Sequence, residues 1–265
     1  MTYKNKVVWI TGASSGIGEA FAKAFFKEGA KLILSSRREE ALIEVRDSLG
    51  ADESNCKILP LDLSDSTSLP GKAEEALSLF GGIDVLLNNG GISQRSIFAE
   101  SDMSTIRRLM EVNFFGSTEL TRAILPSMME RKSGQIIVIS SLAGKFGTKF
   151  RSGYAASKHA LHGMFDSIRQ EMYEYNVAVT MVCPGPIKTN ITINSLTADG
   201  SSFGEMGNLH DKAMDADEMV TRIWRRIKKR KEEIYISGPL EMLALILKRV
   251  SPRLLNIVLK NSKVT

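Results

Sequence analysis

Lys6 to Gly18 reads KVVWITGASSGIG, a β-branched apolar run followed at once by three glycines, Gly12, Gly16 and Gly18. The run has the composition of a strand buried on both faces, and the glycines let the chain turn tightly into a helix. A strand, turn and helix in that order leave unpaired backbone N–H groups at the helix N-terminus. The helix dipole adds to their effect, so the turn is a candidate anion site.

Further short aliphatic runs follow the first one: KLILSSR, CKILPLDL, IDVLLNNGG, GQIIVISS, VAVTMVCPG and EIYISG. The stretches between them include amphipathic ones, with apolar positions at helical spacing from Gly18 to Gly29 and from Ser104 to Lys132. Continuously apolar strands alternating with helices predict an α/β fold, a doubly wound parallel sheet (Rossmann fold) with helices on both faces. At 265 residues the expectation is one domain spanning 1–265, without internal repeats.

Two regions stand outside the alternation. Residues 189–208, TNITINSLTADGSSFGEMGN, have a loop composition and are expected to form a substrate loop or lid. The extension 239–265 carries aliphatic clusters interrupted by Pro252 and interleaved with Lys248, Arg249, Arg253, Lys260 and Lys263. Neither side of the proline is long enough to span a bilayer. Three readings stay open for this tail: a helix packed on its own protein, a flap over a lipid-like substrate, or peripheral contact with an anionic membrane.

The formal charge of +5 is unevenly spread, because Arg222 to Thr265 holds twelve basic and three acidic residues. No aromatic stacking motif or groove-reading pattern accompanies this charge, so nucleic acid is not an expected partner. Cys56 and Cys183 are far apart and lack the spacing of a disulfide framework or a zinc site, so no metal is expected. The apolar run before Gly12 is too brief for a signal peptide or a membrane span. A reduced cytoplasmic setting is expected, with the tail as the one feature that could bring the chain to a membrane.

In dinucleotide-binding folds the glycine turn approaches a pyrophosphate, and a carboxylate about 20 positions further on holds the adenosine ribose. The glycine turn offers Gly12, Ser14, Ser15, Gly16, Ile17 and Gly18 as cofactor residues. The second strand ends in Ser36 and Arg37 where an NAD-selecting acid would stand. An arginine there can pair with a 2′-phosphate, which points to NADP(H). The plain alternative is that Arg37 and Arg38 are solvated charges, with Glu39 as a displaced ribose ligand. Asp62 and Leu63, after the third strand, are placed to meet the adenine edge. The turn also matches G-x-S-x-G, the elbow of a serine hydrolase. That reading is poor, because His159 and His162 share a helical stretch with Tyr154 and leave only His210 to follow as the base.

Taken together, TGASSGIG, NNGG, the Ser141 of ISSLAG, YAASK and PGPIKT resemble the ordered motifs of the short-chain dehydrogenase/reductase family, from about Val7 to Thr189. Gly90 departs from that family's usual alanine, a small-for-small change. The resemblance implies a ketone/secondary-alcohol oxidoreductase whose acid/base is Tyr154. The chemistry of the residues agrees. Lys158 follows Tyr154 by one helical turn, where its charge favours the phenolate, and Ser141 can donate a hydrogen bond to the reacting oxygen. By resemblance Asn113 in MEVNFFGS anchors a proton-relaying water, and its plain alternative is an asparagine tied to a local carbonyl. Resemblance also assigns the nicotinamide ribose to Lys158, the cofactor wall to Asn89 and Gly90, and the carboxamide to Ile187 and Thr189, with Pro184 and Gly185 in the same motif.

Substrate contacts are expected from 94–99, 142–150 and 189–207. Phe98, Phe146, Phe150 and Ile191 suit an apolar carbonyl compound or alcohol and equally suit a core. Lys145, Lys149 and Arg151 leave room for an acidic group, although solvated lysines are the plainer reading. The tail resembles the C-terminal extensions of lipid- or steroid-directed relatives, which implies a lipophilic, lipid- or steroid-like substrate, and abundant NADPH would make the enzyme a carbonyl reductase. A non-catalytic NADP(H) sensor and a membrane-peripheral scaffold are the rival classes. The family's habit implies a homodimer or homotetramer formed through the helices that carry Asn113 and Tyr154.

Overall fold

Continuous apolar runs leave each strand with two faces to bury, and the chain buries both. The computed structural model describes residues 2–205 and 213–261, except for the side chain of Asn261. His210, the end of the 189–208 loop and the last four residues of the 239–265 extension, Lys263 among them, lie outside the described residues.

The first half of the chain runs β1 (Val7–Thr11), α1 (Gly16–Lys27), β2 (Lys31–Ser35), α2 (Glu39–Ser48), β3 (Cys56–Ile58), α3 (Leu69–Leu79) and β4 (Val85–Asn88). It continues through α4 (Met103–Met110), a π-helical turn (Glu111–Phe115), α5 (Gly116–Glu130), β5 (Gly134–Ile139), α6 (Ser152–Glu171) and β6 (Val177–Pro184). A two-residue pair, β7 (Ile187–Lys188) and β8 (Met214–Asp215), precedes α7 (Ala216–Lys228), β9 (Glu233–Ile236), α8 (Pro239–Val250) and α9 (Pro252–Asn261).

The main sheet is ordered β3-β2-β1-β4-β5-β6-β9, and every neighbouring pair is parallel. All seven strands correspond to the apolar runs of the sequence. Within β1, Val8 and Ile10 face a core shared with Phe21 and Phe25 of α1 and Ile223 and Ile227 of α7. Val7 and Trp9 face a second core shared with Leu120 and Ile124 of α5 and Leu161 and Phe165 of α6. Burying a branched aliphatic side chain contributes roughly 1.5–3 kcal/mol, so this two-sided packing dictates the alternation of strands and helices.

The strand order reverses between β1 and β4. Helices leave the sheet on opposite sides there, and a crevice opens at the carboxyl ends of the strands. Among the described residues no helix is long and apolar enough to cross a membrane.

Candidate active site

The glycine turn is shaped by close approach as well as by backbone freedom. Gly12 has a φ of 62°, and a Cβ on it would stand 2.8 Å from the Gly90 Cα. A Cβ on Gly18 would fall on the Gly12 carbonyl oxygen. Gly16, also left-handed at a φ of 59°, faces Thr189, whose Cγ2 lies 2.8 Å from where a Cβ would be. Thr11 Oγ1 accepts the Asn89 and Gly90 N–H groups, both at 3.0 Å. In return Asn89 Nδ2 donates to the Thr11 and Gly12 carbonyls, both at 3.0 Å. The ends of β1 and β4 are thereby fixed together beneath the turn.

These strand ends open onto a cavity of about 670 Å³. Its wall includes Gly12, Ser14, Ser15 and Ile17 from the turn, Ser36 and Arg37 beyond β2, and Asp62 and Leu63 beyond β3. Asn89 and Gly90 form the middle. Ser141, Tyr154 and Lys158 line it near β5, and Pro184, Gly185, Ile187 and Thr189 near β6. The strand order puts Arg37 and the Ser141–Tyr154–Lys158 group on opposite sides of the switch point. Gly16, Gly18 and Asn113 stand behind this wall: the two glycines shape the turn, and Asn113 is buried.

Tyr154 and Lys158 lie one turn apart on α6, with the Lys158 ammonium 5.8 Å from the centre of the Tyr154 ring. Lys158 Nζ donates to the Ile139 carbonyl at 2.9 Å, which ties it to the end of β5. Burial disfavours its charge and brings its pKa down to about 8. Burial also raises the Tyr154 phenol, against the Ser141 hydroxyl and the Arg151 charge, which both pull it down. The sequence suggests a phenol lowered by Lys158; here desolvation outweighs the charges around it. Ser141 Oγ accepts the Ala143 N–H at 3.1 Å, and its own O–H is the donor that favours the Tyr154 phenolate.

Asn113 occupies the π-helical turn, a geometry that recurs at functional positions. Its partners are the N–H and carbonyl of the distant Ile92 and the Ser157 hydroxyl, rather than a carbonyl of its own helix. A Cβ on Gly91 would stand 3.0 Å from Asn113 Oδ1 and 3.7 Å from Lys158 Nζ. Glycine at that position keeps the space between the amide and the ammonium open.

Gln94, inside the 94–99 segment expected to meet substrate, is buried and lines neither cavity; it is a positioning residue. Its buried Oε1 accepts the Gly153 and Tyr154 N–H groups at 2.7 and 3.3 Å, which caps the first turn of α6 from a segment 60 residues earlier. Beside the site, Ser140 Oγ lies 3.1 Å from His162 Nε2, and His162 Nδ1 lies 3.5 Å from Glu233 Oε1. No motif joins these three positions, so only the fold brings them together.

The expected substrate segments separate by role. Phe146 packs in a buried cluster with Leu142, Cys183, Ala244 and Leu255 and is therefore core. Phe98 and Phe150 line a second recess, of about 450 Å³, and Ile191 lines the main cavity. Lys145 pairs with Glu233, and Lys149 donates to the Lys260 carbonyl. The 189–205 stretch is held over the cavity by Leu196, whose N–H donates to Ser93 and whose carbonyl accepts from Arg95, both at 2.8 Å.

A family model described as short chain dehydrogenase matches residues 6–199. The chain is 39% identical over 255 residues to dehydrogenase/reductase SDR family member 7B of Mus musculus, a match covering 95% of this chain and 79% of that protein. It is 40% identical over 253 residues to dehydrogenase/reductase SDR family protein 7-like of Drosophila melanogaster, covering 94% and 78%. A solved short-chain dehydrogenase from Streptomyces avermitilis superposes with a TM-score of 0.79 at 29% identity, over 95% of each chain. A Burkholderia phymatum short chain dehydrogenase/reductase in complex with NAD superposes with a TM-score of 0.84 at 24% identity, over 96% of each chain, a likeness of fold. The matched span contains the glycine turn, the cavity wall and the Tyr154–Lys158 turn, and the chain belongs to the short-chain dehydrogenase/reductase family of oxidoreductases.

Proposed function

We propose that this chain is an NADP(H)-dependent oxidoreductase that interconverts a ketone and a secondary alcohol, working as a carbonyl reductase on a lipophilic substrate. One observation carries the reading: a single cavity has an arginine, Arg37, at the end of β2 and the Ser141, Tyr154 and Lys158 side chains across the switch point. The glycines at 12, 16 and 18 support it, since side chains there would collide with Gly90, Thr189 and the Gly12 carbonyl and force open the turn that a pyrophosphate needs. Ser14, Ser15 and Ile17 would hold the phosphates. Ser36 and Arg37 would hold the 2′-phosphate, Asp62 and Leu63 the adenine, and Asn89, Gly90, Pro184, Gly185, Ile187 and Thr189 the nicotinamide half.

The nicotinamide, when bound, supplies or accepts the hydride. The remaining work falls to this chain's side chains. Ser141 turns its O–H from Tyr154 to the substrate oxygen and steadies the charge that develops there. Tyr154 Oη gives that oxygen its proton in reduction and takes it back in oxidation. Lys158 has N–H groups beyond the one given to Ile139, and these can hold the ribose hydroxyls while its charge favours the phenolate. Asn113 and the open space at Gly91 leave room for a water that passes protons to Lys158. Phe115 and Met164, exposed on the stretch that carries Asn113 and on α6, suit a homo-oligomer formed through those helices.

The test is NADPH and NADH consumption against aliphatic, aromatic, steroid and acyl ketones, with Tyr154→Phe and Arg37→Asp alongside. NADPH-selective turnover that disappears in Tyr154→Phe is the expected result. Tight NADPH binding without turnover of any ketone would move the reading to a nucleotide sensor.

A further inference from the structure

Helices α8 and α9 carry apolar residues on two faces each. On the inner side Ala244 and Leu255 are buried against Leu142, Phe146 and Cys183, so the pair is anchored on the segment that follows Ser141. On the outer side Leu240, Leu243, Ile246 and Val250 recur along α8 at three- and four-residue spacing, and Leu254, Ile257 and Val258 do so along α9. These seven side chains are 49–79% exposed. Scattered exposed leucines need no explanation, but a run of them on two helices packed against each other marks an interaction surface.

Charge selects the occupant. From Met242 to Asn261 the sequence has Lys248, Arg249, Arg253 and Lys260 and no Asp or Glu. A second copy docking about a twofold axis would set this all-cationic patch against itself, which costs several kcal/mol for close like charges. An anionic lipid surface meets both properties: its headgroups pair with the cations and its acyl boundary takes the aliphatic stripe. The patch also continues to the second recess. Lys149 donates to the Lys260 carbonyl at 3.1 Å and lines the recess formed with Ile97, Phe98 and Phe150. Ile97 and Phe98 are themselves 49% and 60% exposed.

We propose that α8 and α9 seat this protein on anionic bilayers, with the recess at Ile97, Phe98 and Phe150 turned toward the acyl boundary. The proposal stands apart from the cofactor and substrate readings, because it requires neither nucleotide nor turnover.

The experiment is co-sedimentation of the full chain with vesicles of phosphatidylcholine alone and of phosphatidylcholine mixed with phosphatidylserine, with and without NADPH. Binding to the mixed vesicles is expected, independent of NADPH and weakened by added salt. Each cation near an anionic surface is worth about fivefold, so Arg249→Gln with Arg253→Gln lowers the partition coefficient about 30-fold. Leu243→Glu with Ile257→Glu removes binding. All four positions are exposed, so both double variants keep the thermal midpoint of the parent. Three outcomes overturn the proposal: no binding to either vesicle, equal binding to both, or binding that neither double variant reduces. Self-association abolished by Leu243→Glu with Ile257→Glu, without vesicle binding, assigns the surface to a second copy instead.

Discussion

Asn113 grips the main chain of Ile92 from both sides. Its Oδ1 accepts the Ile92 N–H at 2.8 Å, and its Nδ2 donates to the Ile92 carbonyl at 2.9 Å and to Ser157 Oγ at 2.9 Å. Ser157 in turn donates to the Tyr154 carbonyl at 2.8 Å. One amide in the π-helical turn thus ties the segment after β4 to the turn of α6 that carries Tyr154 and Lys158. The side chain has a positioning part beside any part in proton relay, and the two can be separated.

Asn113→Ala leaves the Ile92 N–H and carbonyl without partners in a partly buried setting. Each orphaned group costs about 1–3 kcal/mol, so the variant is expected to lose about 2–6 kcal/mol of stability and to be deficient in turnover. Asn113→Asp keeps the acceptor for the Ile92 N–H but loses the donated bonds and sets a buried carboxylate against the Ile92 carbonyl, so its urea midpoint is also expected below that of the parent. Equal midpoints for all three proteins would show that the grip contributes nothing to the fold.

Arg37→Asp tests the adenosine end of the cavity. A charge-assisted hydrogen bond to a phosphate is worth about 1.5–3 kcal/mol, which corresponds to about 10- to 100-fold in the dissociation constant for NADPH. The affinity for NADH is expected to hold or improve, because the new carboxylate can accept from ribose hydroxyls. Isothermal titration with both nucleotides reads the ratio directly, and an unchanged ratio would assign Arg37 to solvent.

Gly90 is not left-handed, so its lack of a side chain answers to space. A Cβ there would stand 2.5 Å from Leu63 Cδ1, which means that Leu63 occupies the place of a methyl group at position 90. Gly90→Ala alone is expected to be neutral or slightly destabilising, because the roughly 0.4–1 kcal/mol gained from the unfolded chain is opposed by the displacement of Leu63. Gly90→Ala with Leu63→Val relieves the contact, and thermal unfolding is expected to rank the double variant above Gly90→Ala.

The contrast between Gly90 and Asn113 shows where sequence reading succeeds. The five inner strands were legible because each packs apolar side chains into both cores, the edge strands β3 and β9 because their buried residues face one, and the glycine turn because Gly12 and Gly18 admit no side chain. The stretch from Ser104 to Lys132 read as uninterrupted helical spacing, yet the chain inserts a π-helical turn at Glu111–Phe115, since one extra residue in a turn leaves no periodic trace. The two-residue strands β7 and β8 are too short to carry a pattern. Gln94 and His162 act through partners brought close by the fold, at Gly153 and Glu233, and no spacing encodes such contacts.

His162 makes the stability of the fold depend on pH between about 4 and 6.5. Its ring is buried beside Ser140, Cys183 and Glu233, and burial together with the Lys145 charge brings its pKa down to about 4, against the pull of Glu233. The unfolded chain titrates at the ordinary value near 6.5. Between these two values the unfolded state binds a proton that the folded state refuses, so stability falls as pH drops through 6.5 and levels off below about 4. At pH 5 the loss from this one group is about 2 kcal/mol relative to pH 8. Urea unfolding of the parent and of His162→Gln at both pH values isolates the contribution, because a glutamine can keep a contact with Ser140 and cannot take up the proton. The parent is expected to lose about 2 kcal/mol more than the variant between pH 8 and pH 5. Equal losses would mean that His162 is protonated in the folded protein and paired with Glu233.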